Sequence, residues 1–132
     1  MGPRSVIVLD THAWLWWVGD IRRLGRNAAR SIERADRIGI AAVSCFEVAA
    51  AVAKGRVSLD RAPLDWLQQA LALPKIELLA LTPAIAVKAT QLGSFHGDPA
   101  DRLIVATTLV ESAVLATKDR RLQRCGAIET VW

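Results

Sequence analysis

The sequence predicts an α/β fold, a single compact α/β/α sandwich in which helices cover both faces of a mostly parallel sheet. Short β-branched runs alternate with segments of helical spacing, which is typical of proteins whose parallel strands are joined by helices. The chain has 132 residues without an internal repeat or linker, so we expect one domain over residues 1–132. A hydrophobic content of 52% with 23% charged residues excludes a disordered or low-complexity segment.

The first part of the chain predicts two strands and three helices. Four apolar residues and then a polar one, at Val6–Asp10, indicate a buried strand. A short helix is predicted over Thr11–Val18, and apolar residues recur at helical spacing over Leu24–Ala35. The segment Ile38–Val43 predicts a second strand, and a helix over Ser44–Lys54 follows it and ends at a glycine.

The second part of the chain marks two of its helix starts with proline. Thr82-Pro83 and Asp98-Pro99 each combine a capping residue with proline at the first helical position. The predicted elements are, in chain order, a helix over Ser58–Leu73 stopped by Pro74, a strand over Ile76–Leu81, helices over Pro83–Leu92 and Ala100–Ser112, a strand over Ala113–Thr117, a short helix over Asp119–Arg124 and a strand over Ala127–Val131.

The sequence offers no membrane-spanning segment and no secretion signal. Its most apolar stretches, Ala41–Ala53 and Leu103–Ala116, are interrupted by Glu47 and Glu111 and are shorter than the ~20 residues that a span needs. A signal peptide would require a longer apolar run before a small-residue cleavage site. We therefore expect a cytoplasmic protein with no membrane partner.

Arginines are concentrated in the segment that follows the first predicted helix. The chain has a formal net charge of +4, and four of its arginines recur at every fourth position: Arg22, Arg26, Arg30 and Arg34. On one helix they would form a basic stripe, which can bind phosphate groups. The alternative is a solvated face with pairs four residues apart, such as Glu33 with Arg37.

Four carboxylates fall where predicted strands end or helices begin. Asp10 ends the first strand, and Glu47 lies near the start of the helix after the second strand. Asp101 lies in the first turn of a later helix, and Asp119 follows the strand over Ala113–Thr117. Ligands of parallel α/β sheets bind beyond the carboxyl ends of the strands. We therefore expect these four acids to gather at one edge of the sheet.

Clustered carboxylates of this kind predict a divalent cation. They would repel one another, and a cation removes that penalty. Oxygen ligands without His or Cys suit Mg²⁺ or Mn²⁺ better than zinc. A metal held in this way can activate a water molecule for attack on a phosphodiester. The sequence contains neither a Ser-His-Asp arrangement nor a glycine-rich phosphate loop.

Each acid also has a purely structural interpretation. Glu47 lies three residues after a serine, which matches a capping box. Asp98 is best explained as a helix N-cap, and Asp101 is favoured by the dipole of the same helix. Asp10 can simply end a strand, and Asp119 can cap the short helix after it. The metal hypothesis therefore depends on all four acids being close together.

Two threonines and two histidines adjoin the acids. The hydroxyls of Thr11 and Thr117 can orient a water molecule or a carboxylate, or they can serve strand formation and capping. His12 and His96 have no metal-ligand spacing, and we expect no direct role for them. The threonines are therefore supporting candidates.

At these residues the chain resembles the PIN-domain family, and within it the VapC-type toxins of bacterial toxin–antitoxin pairs. The resemblance covers nearly the whole chain, and four motifs in order carry it. They are Leu9–Trp17, Val43–Ala49 followed by Lys54–Arg56, His96–Thr107, and Leu115–Asp119.

The resemblance implies a Mg²⁺- or Mn²⁺-dependent endoribonuclease on an α/β/α fold. The acids at its metal-site positions would be Asp10, Glu47, Asp101 and Asp119, with Asp98 as a supporting fifth acid. It also implies a homodimer, an RNA substrate and a VapB-type antitoxin that lies across the toxin and reaches the active site.

The first predicted helix is unusually rich in tryptophan. Trp14 and Trp17 lie three residues apart on one face, with Trp16 to the side. Three indoles are hard to bury in a small core, so an exposed pair would suit an antitoxin, with core packing as the alternative. The predicted partner-binding residues are Trp14, Trp17, Arg22, Arg26 and Arg30.

Two further functions are compatible with part of this pattern. Asp10, Thr117 and Lys118 resemble part of the site of a phospho-accepting receiver domain, although no Asp follows the strand over Ile76–Leu81. A catalytically silent PIN fold that acts only as a binding module is the other alternative. The complete set of acids favours the nuclease over both.

Overall fold

A computed structural model describes residues 5–95 and 97–132, whose strands form one parallel sheet. Its five strands lie in the order β3-β2-β1-β4-β5. They are β1 (Val6–Leu9), β2 (Arg37–Ala41), β3 (Ile76–Leu79), β4 (Val114–Ala116) and β5 (Glu129–Val131). The predicted fold class is confirmed. His96 lies outside the described residues.

Seven α-helices of the described chain connect and cover the strands. They are α1 (Thr11–Gly19), α2 (Arg26–Arg34), α3 (Ala42–Ala53), α4 (Pro63–Leu71), α5 (Pro83–Thr90), α6 (Pro99–Val110) and α7 (Arg120–Gln123). A short 3₁₀ helix over Ile21–Arg23 was not predicted. None of the helices in the described ranges is long and apolar enough to cross a membrane.

Two apolar layers hold the sheet between the helices. Ile7 and Leu9 of β1 pack into a cluster with residues of α1, α2, α3 and α4. Val8 faces the opposite side and packs with residues of α6 and with Leu122 of α7. Because alternate side chains of a strand point to opposite faces, β1 is apolar throughout and buried on both sides.

Helix α3 begins two residues earlier than the predicted start at Ser44. The second strand ends at Ala41, which occupies the N-cap position without a side-chain cap. Ser44 is therefore the third helical residue, and the predicted capping box with Glu47 is wrong. The side chain of Ser44 is fully buried. Burial in the helix therefore overrides the strand preference of Val43.

The fourth helix is shorter than predicted. It starts at Pro63 and not at Ser58. Proline lacks a backbone N–H and is tolerated in the first turn of a helix but not in its interior, so the predicted span over Ser58–Leu73 was wrong at its start. The short helix α7 likewise begins at Arg120, with Asp119 as its N-cap.

The predicted arginine stripe is interrupted. Arg22 lies on the 3₁₀ helix and only the later three arginines lie on α2, because Gly25 separates the two elements. The predicted pair of Glu33 with Arg37 is also wrong. Arg37 belongs to β2, and its Nε lies 2.5 Å from Glu77 Oε2 on the neighbouring strand β3.

Gly25 is required by a close approach of the end of the sheet. The carbonyl oxygen of Trp132 accepts hydrogen bonds from the N–H groups of Asn27 and Ala28, at 3.0 and 3.1 Å. A Cβ at position 25 would lie 2.5 Å from the Trp132 carbonyl carbon.

We predict that Gly25→Ala lowers the free energy of unfolding by about 1–3 kcal/mol, because backbone atoms must move to admit the methyl group. Urea denaturation measures the change. Gly19→Ala is the matched control, since a Cβ there meets nothing within 4 Å. Equal stability of the two variants would contradict the packing described at Gly25.

Candidate active site

One cleft collects all the predicted acids at the carboxyl edge of the sheet. Leu9 is in register with Ile40 of β2 and with Ala116 of β4, so the ends of these three strands are level. The chain after each strand therefore reaches the same cleft. The acids that line it are Asp10, Glu47, Asp98, Asp101 and Asp119.

Asp10 lies between β1 and α1 and is only 7% exposed. Its Oδ1 accepts a hydrogen bond from the N–H of Ala13 at 2.8 Å, so it also caps α1. Burial raises the pKa of this carboxyl, although hydrogen bonds from Thr117 and Ala13 oppose the shift. The negative charge of Asp119 raises the pKa of Asp10 further. Asp10 therefore caps α1, and its ionised form is disfavoured by burial and by the nearby charge of Asp119.

Thr117 joins Asp10 to Asp119. Its side chain is fully buried beside Asp10, and it lowers the pKa of that carboxyl. The same Oγ1 accepts the backbone N–H of Asp119 at 3.0 Å. Its backbone N–H donates to Val131, which extends the pairing with the edge strand. Thr117 therefore lies beside both acids, and its supporting role stays a prediction.

Glu47 is held by a second threonine. Thr11 is buried, and its Oγ1 donates to Glu47 Oε1 at 2.5 Å and is hydrogen-bonded to Ser44 Oγ at 3.1 Å. Both predicted threonines therefore contact predicted acids. The hydroxyl of Ser44 is hydrogen-bonded to Thr11. The sequence did not reveal this contact, because Ser44 matched a capping residue.

Asp98 and Asp101 have different roles in the cleft. Asp98 caps α6, and its Oδ1 accepts the N–H of Asp101 at 2.8 Å, as predicted. Burial, followed by the negative charge of Asp98, raises the pKa of Asp101 to about 6. The charge of Glu47 acts in the same direction, so Asp101 lies among acids that resist its ionisation.

Arg121 is a residue of the cleft that the sequence analysis missed. Its Nη2 lies 2.8 Å from Asp119 Oδ2 and 3.6 Å from Asp101 Oδ2. This guanidinium holds the pKa of Asp119 below its usual value. The only sequence signal was its position two residues after Asp119, at the start of α7.

The donor chemistry of the cleft fits a hydrated divalent cation. Within residues 5–95 and 97–132, no three His, Cys, Asp or Glu side chains already stand in a metal-binding arrangement. Burial is the main cause of the raised pKa values of Asp10 and Asp101, and the charges of Asp119 and Asp98, respectively, raise them further. A bound cation would favour the ionised form of both acids. A cation that keeps several water ligands, as Mg²⁺ does, needs only part of its shell from carboxylates.

Aromatic and basic side chains form the wall of the cleft. Trp16 lies at its centre, with Arg23 Cζ 4.7 Å and Lys118 Nζ 5.8 Å from the ring centroid. Lys54 and Arg56 also line the cleft, beside Phe46, whose side chain is 72% exposed. The tryptophan-rich helix and the motif over Lys54–Arg56 were the sequence signals of this wall, although Trp16 was not predicted as a cleft residue.

The predicted partner face of α1 is wrong at Trp14. This side chain is fully buried, and its ring centroid lies 5.3 Å from that of Trp66. Its Nε1 has no hydrogen-bond partner among the described residues. Trp17 is half-buried and packs against the same core. Trp14 is accommodated in the core because Trp66 of α4 supplies a second aromatic ring to that layer.

In EDTA, the Asp101→Asn variant is expected to melt several degrees above the native protein at pH 7.5, and by a smaller margin at pH 5. With a pKa of about 6 in the folded state, Asp101 binds more protons there than in the unfolded chain. Its unfavourable effect on stability therefore begins as the pH rises above the ordinary value of 3.8 and is complete once the pH has passed about 6, and asparagine avoids it. Thermal melts of both proteins between pH 5 and 7.5 test this. Parallel curves would contradict the raised pKa.

Comparisons with known proteins agree with one another. A family model described as the PIN domain matches residues 7–128. Ribonuclease VapC22 of Mycobacterium tuberculosis is 40% identical over 131 residues, which are 97% of this chain and 99% of that protein.

Solved structures share the fold at low sequence identity. VapBC2 from Rickettsia felis, bound to a DNA fragment from its promoter, has a chain with a TM-score of 0.71 and 16% identity over 96% of this chain and 98% of that one. DNA-bound VapBC from Salmonella typhimurium has a TM-score of 0.68 and 19% identity, over 96% and 97% of the two chains.

Proposed function

The chain belongs to the PIN-domain family, and we propose that it is a metal-dependent ribonuclease, the toxin of a VapC-type toxin–antitoxin pair. The observation that carries the proposal is the cleft in which all four predicted acids meet at the ends of three parallel strands. The relative named a ribonuclease matches nearly the full length of this chain, which supports the same activity here.

The residues proposed to hold Mg²⁺ or Mn²⁺ are Asp10, Glu47, Asp101 and Asp119. When bound, such an ion would supply an activated water for the hydrolysis of an RNA phosphodiester. Thr117 orients Asp10, and Thr11 orients Glu47, because each hydroxyl contacts one carboxylate. Asp98 supports the site as the cap that fixes the first turn of α6.

The wall of the cleft suits a substrate that carries both phosphate groups and nucleobases. The basic groups of Arg23, Lys54, Arg56 and Lys118 lie around the acids, where they can contact RNA phosphates. Trp16 holds two of these cations through its ring. The exposed ring of Phe46 adjoins Glu47 and offers a surface on which a base can stack.

The proposed partner is a VapB-type antitoxin, since an active ribonuclease in its own cell has to be restrained. The solved relatives are VapBC assemblies, which supports a partner of the same kind. The exposed Arg26 and Arg30 of α2, with Arg22 nearby, remain proposed contacts for its acidic groups, whereas Trp14 does not. We also propose a homodimer that acts in the cytoplasm, where its RNA substrate is found.

The phospho-accepting alternative has less support. A receiver site would need an aspartate after the strand β3, and Ala80 and Leu81 follow it here. A receiver site would also not explain why Glu47 and Asp101 line the same cleft.

Induced expression of the chain alone is expected to stop bacterial growth, and co-expression of the adjoining small gene is expected to restore it. The reason is that uncontrolled RNA hydrolysis blocks translation, and an antitoxin that covers the cleft prevents it. Growth curves and recovery of the two-protein complex test the prediction. The Asp10→Asn variant is the matched control and should be harmless. Growth arrest by that variant at equal expression would contradict a catalytic origin of the toxicity.

A further inference from the structure

We propose that Arg121 is a tethered counter-ion of the acidic cleft, which bridges Asp101 and Asp119 in the metal-free protein and gives way when a divalent cation binds. The inference rests on the proposed function, because it concerns the same site. It makes Arg121 a positioning residue, which acts on the metal through the two carboxylates.

The contacts of Arg121 join two separate elements across the cleft. Its Nη2 lies 2.8 Å from Asp119 Oδ2, and its Nε lies 3.3 Å from Asp119 Oδ1, so the guanidinium fork meets this carboxylate with two nitrogens. The same Nη2 lies 3.6 Å from Asp101 Oδ2 on α6. One side chain therefore connects the turn after β4 with the first turn of α6.

A metal ion and this guanidinium need the same oxygen atoms. The Oδ2 atoms of Asp101 and Asp119 both face Arg121, and hard cations in proteins take carboxylate oxygens of this kind. The negative charges of Asp98 and Glu47 also act on Asp101. Arg121 supplies one positive charge to this cluster, and a divalent ion supplies two, so exchange is electrostatically favourable.

The side chain is placed so that it can leave. Arg121 is 60% exposed, whereas Asp101 is 15% exposed, so the arginine covers the acid from the solvent side. Its release exposes a charged group to water and breaks no packing of the core. The Asp119 carboxylate stays in place because it caps α7, and the backbone of Asp101 is held by the Asp98 carboxylate.

Other cations near the cleft are differently engaged. Arg102 donates to three backbone carbonyls, those of Ala89, Gly93 and Phe95. Lys118 lies over the ring of Trp16. Arg120, the neighbour of Arg121 on α7, is exposed and forms no ion pair within the described ranges, so it provides a matched control of equal charge.

The proposal makes two predictions of opposite sign. Loss of a competing cation strengthens metal binding, and loss of a bridge weakens the metal-free fold. A residue that merely supports the site would weaken both when it is removed. The affinity for metal therefore separates a competing role from a supporting one, without reference to cleavage.

The test is Mn²⁺ binding at pH 7.5, followed by the electron paramagnetic resonance signal of the free ion, for the native protein, Arg121→Gln and Arg120→Gln. Arg121→Gln is expected to bind Mn²⁺ about 10-fold more tightly, a typical strength for coupling between two ligands of one protein. Its melting temperature in EDTA should fall. Arg120→Gln should change neither quantity, and Arg121→Lys, which keeps the charge but loses the fork, should lie between.

Mn²⁺ affinity of Arg121→Gln equal to or weaker than that of Arg120→Gln overturns the proposal. If the glutamine variant does not fold, Arg121→Lys decides, since affinity no higher than native contradicts competition. If the native protein binds Mn²⁺ and all variants bind it with the same affinity, the role of Arg121 is refuted but the proposed metal site is not. Absence of Mn²⁺ binding by every variant refutes the proposed metal site and this inference with it.

Discussion

The Asp10→Asn variant is expected to lose several orders of magnitude in the rate of RNA cleavage while it remains folded. Asparagine keeps the shape of the side chain and can still accept the hydrogen bond from Ala13 N–H, which caps α1. It lacks the negative charge that would hold the metal. Because the carboxyl is buried, removal of its charge does not reduce stability. Cleavage of a labelled RNA and circular dichroism measure the two properties.

The control for this variant is Asp98→Ser. Serine caps a helix about as well as aspartate, so this protein should keep its fold and most of its activity. A near-native cleavage rate of Asp10→Asn, with the amide verified by mass spectrometry, would show that Asp10 only caps α1. Loss of activity in Asp98→Ser alone would move a metal ligand to Asp98.

Removal of divalent cations is expected to abolish cleavage completely. The cleft gathers carboxylates that can hold a metal, and a water molecule attacks a phosphodiester far faster when a metal lowers its pKa. Cleavage should stop in excess EDTA and return on addition of Mg²⁺ or Mn²⁺ in excess of the chelator. Circular dichroism in EDTA verifies that the protein is still folded. Undiminished cleavage in EDTA would exclude the proposed mechanism.

The positions of the acids were predictable because they depend on short-range patterns. Apolar runs end at Asp10 and before Asp119, and Asp98-Pro99 fixes the start of α6 near Asp101. The parallel arrangement then brings strand ends together, whatever the details of packing. For the same reason the fold class followed from the alternation of strands and helices.

The side-chain contacts of the cleft were not predictable in this way. Arg121 reaches Asp101 only because α6 and α7 pack on the same face of the sheet, which no local pattern encodes. Trp14 is buried because Trp66, far along the chain, lies opposite it. The start of α3 was misplaced since Ser44 resembles a cap, whereas its burial beneath Thr11 decides its position.

The most direct test of the central claim is the anomalous scattering of a crystal of the protein soaked in Mn²⁺. We expect a peak in the cleft within coordination distance of the carboxylates of Asp10 and of at least two among Glu47, Asp101 and Asp119. The Asp10→Asn crystal, soaked in the same way, should show a weaker peak or none. A native crystal that cleaves RNA when dissolved but shows no manganese among these acids would contradict the account.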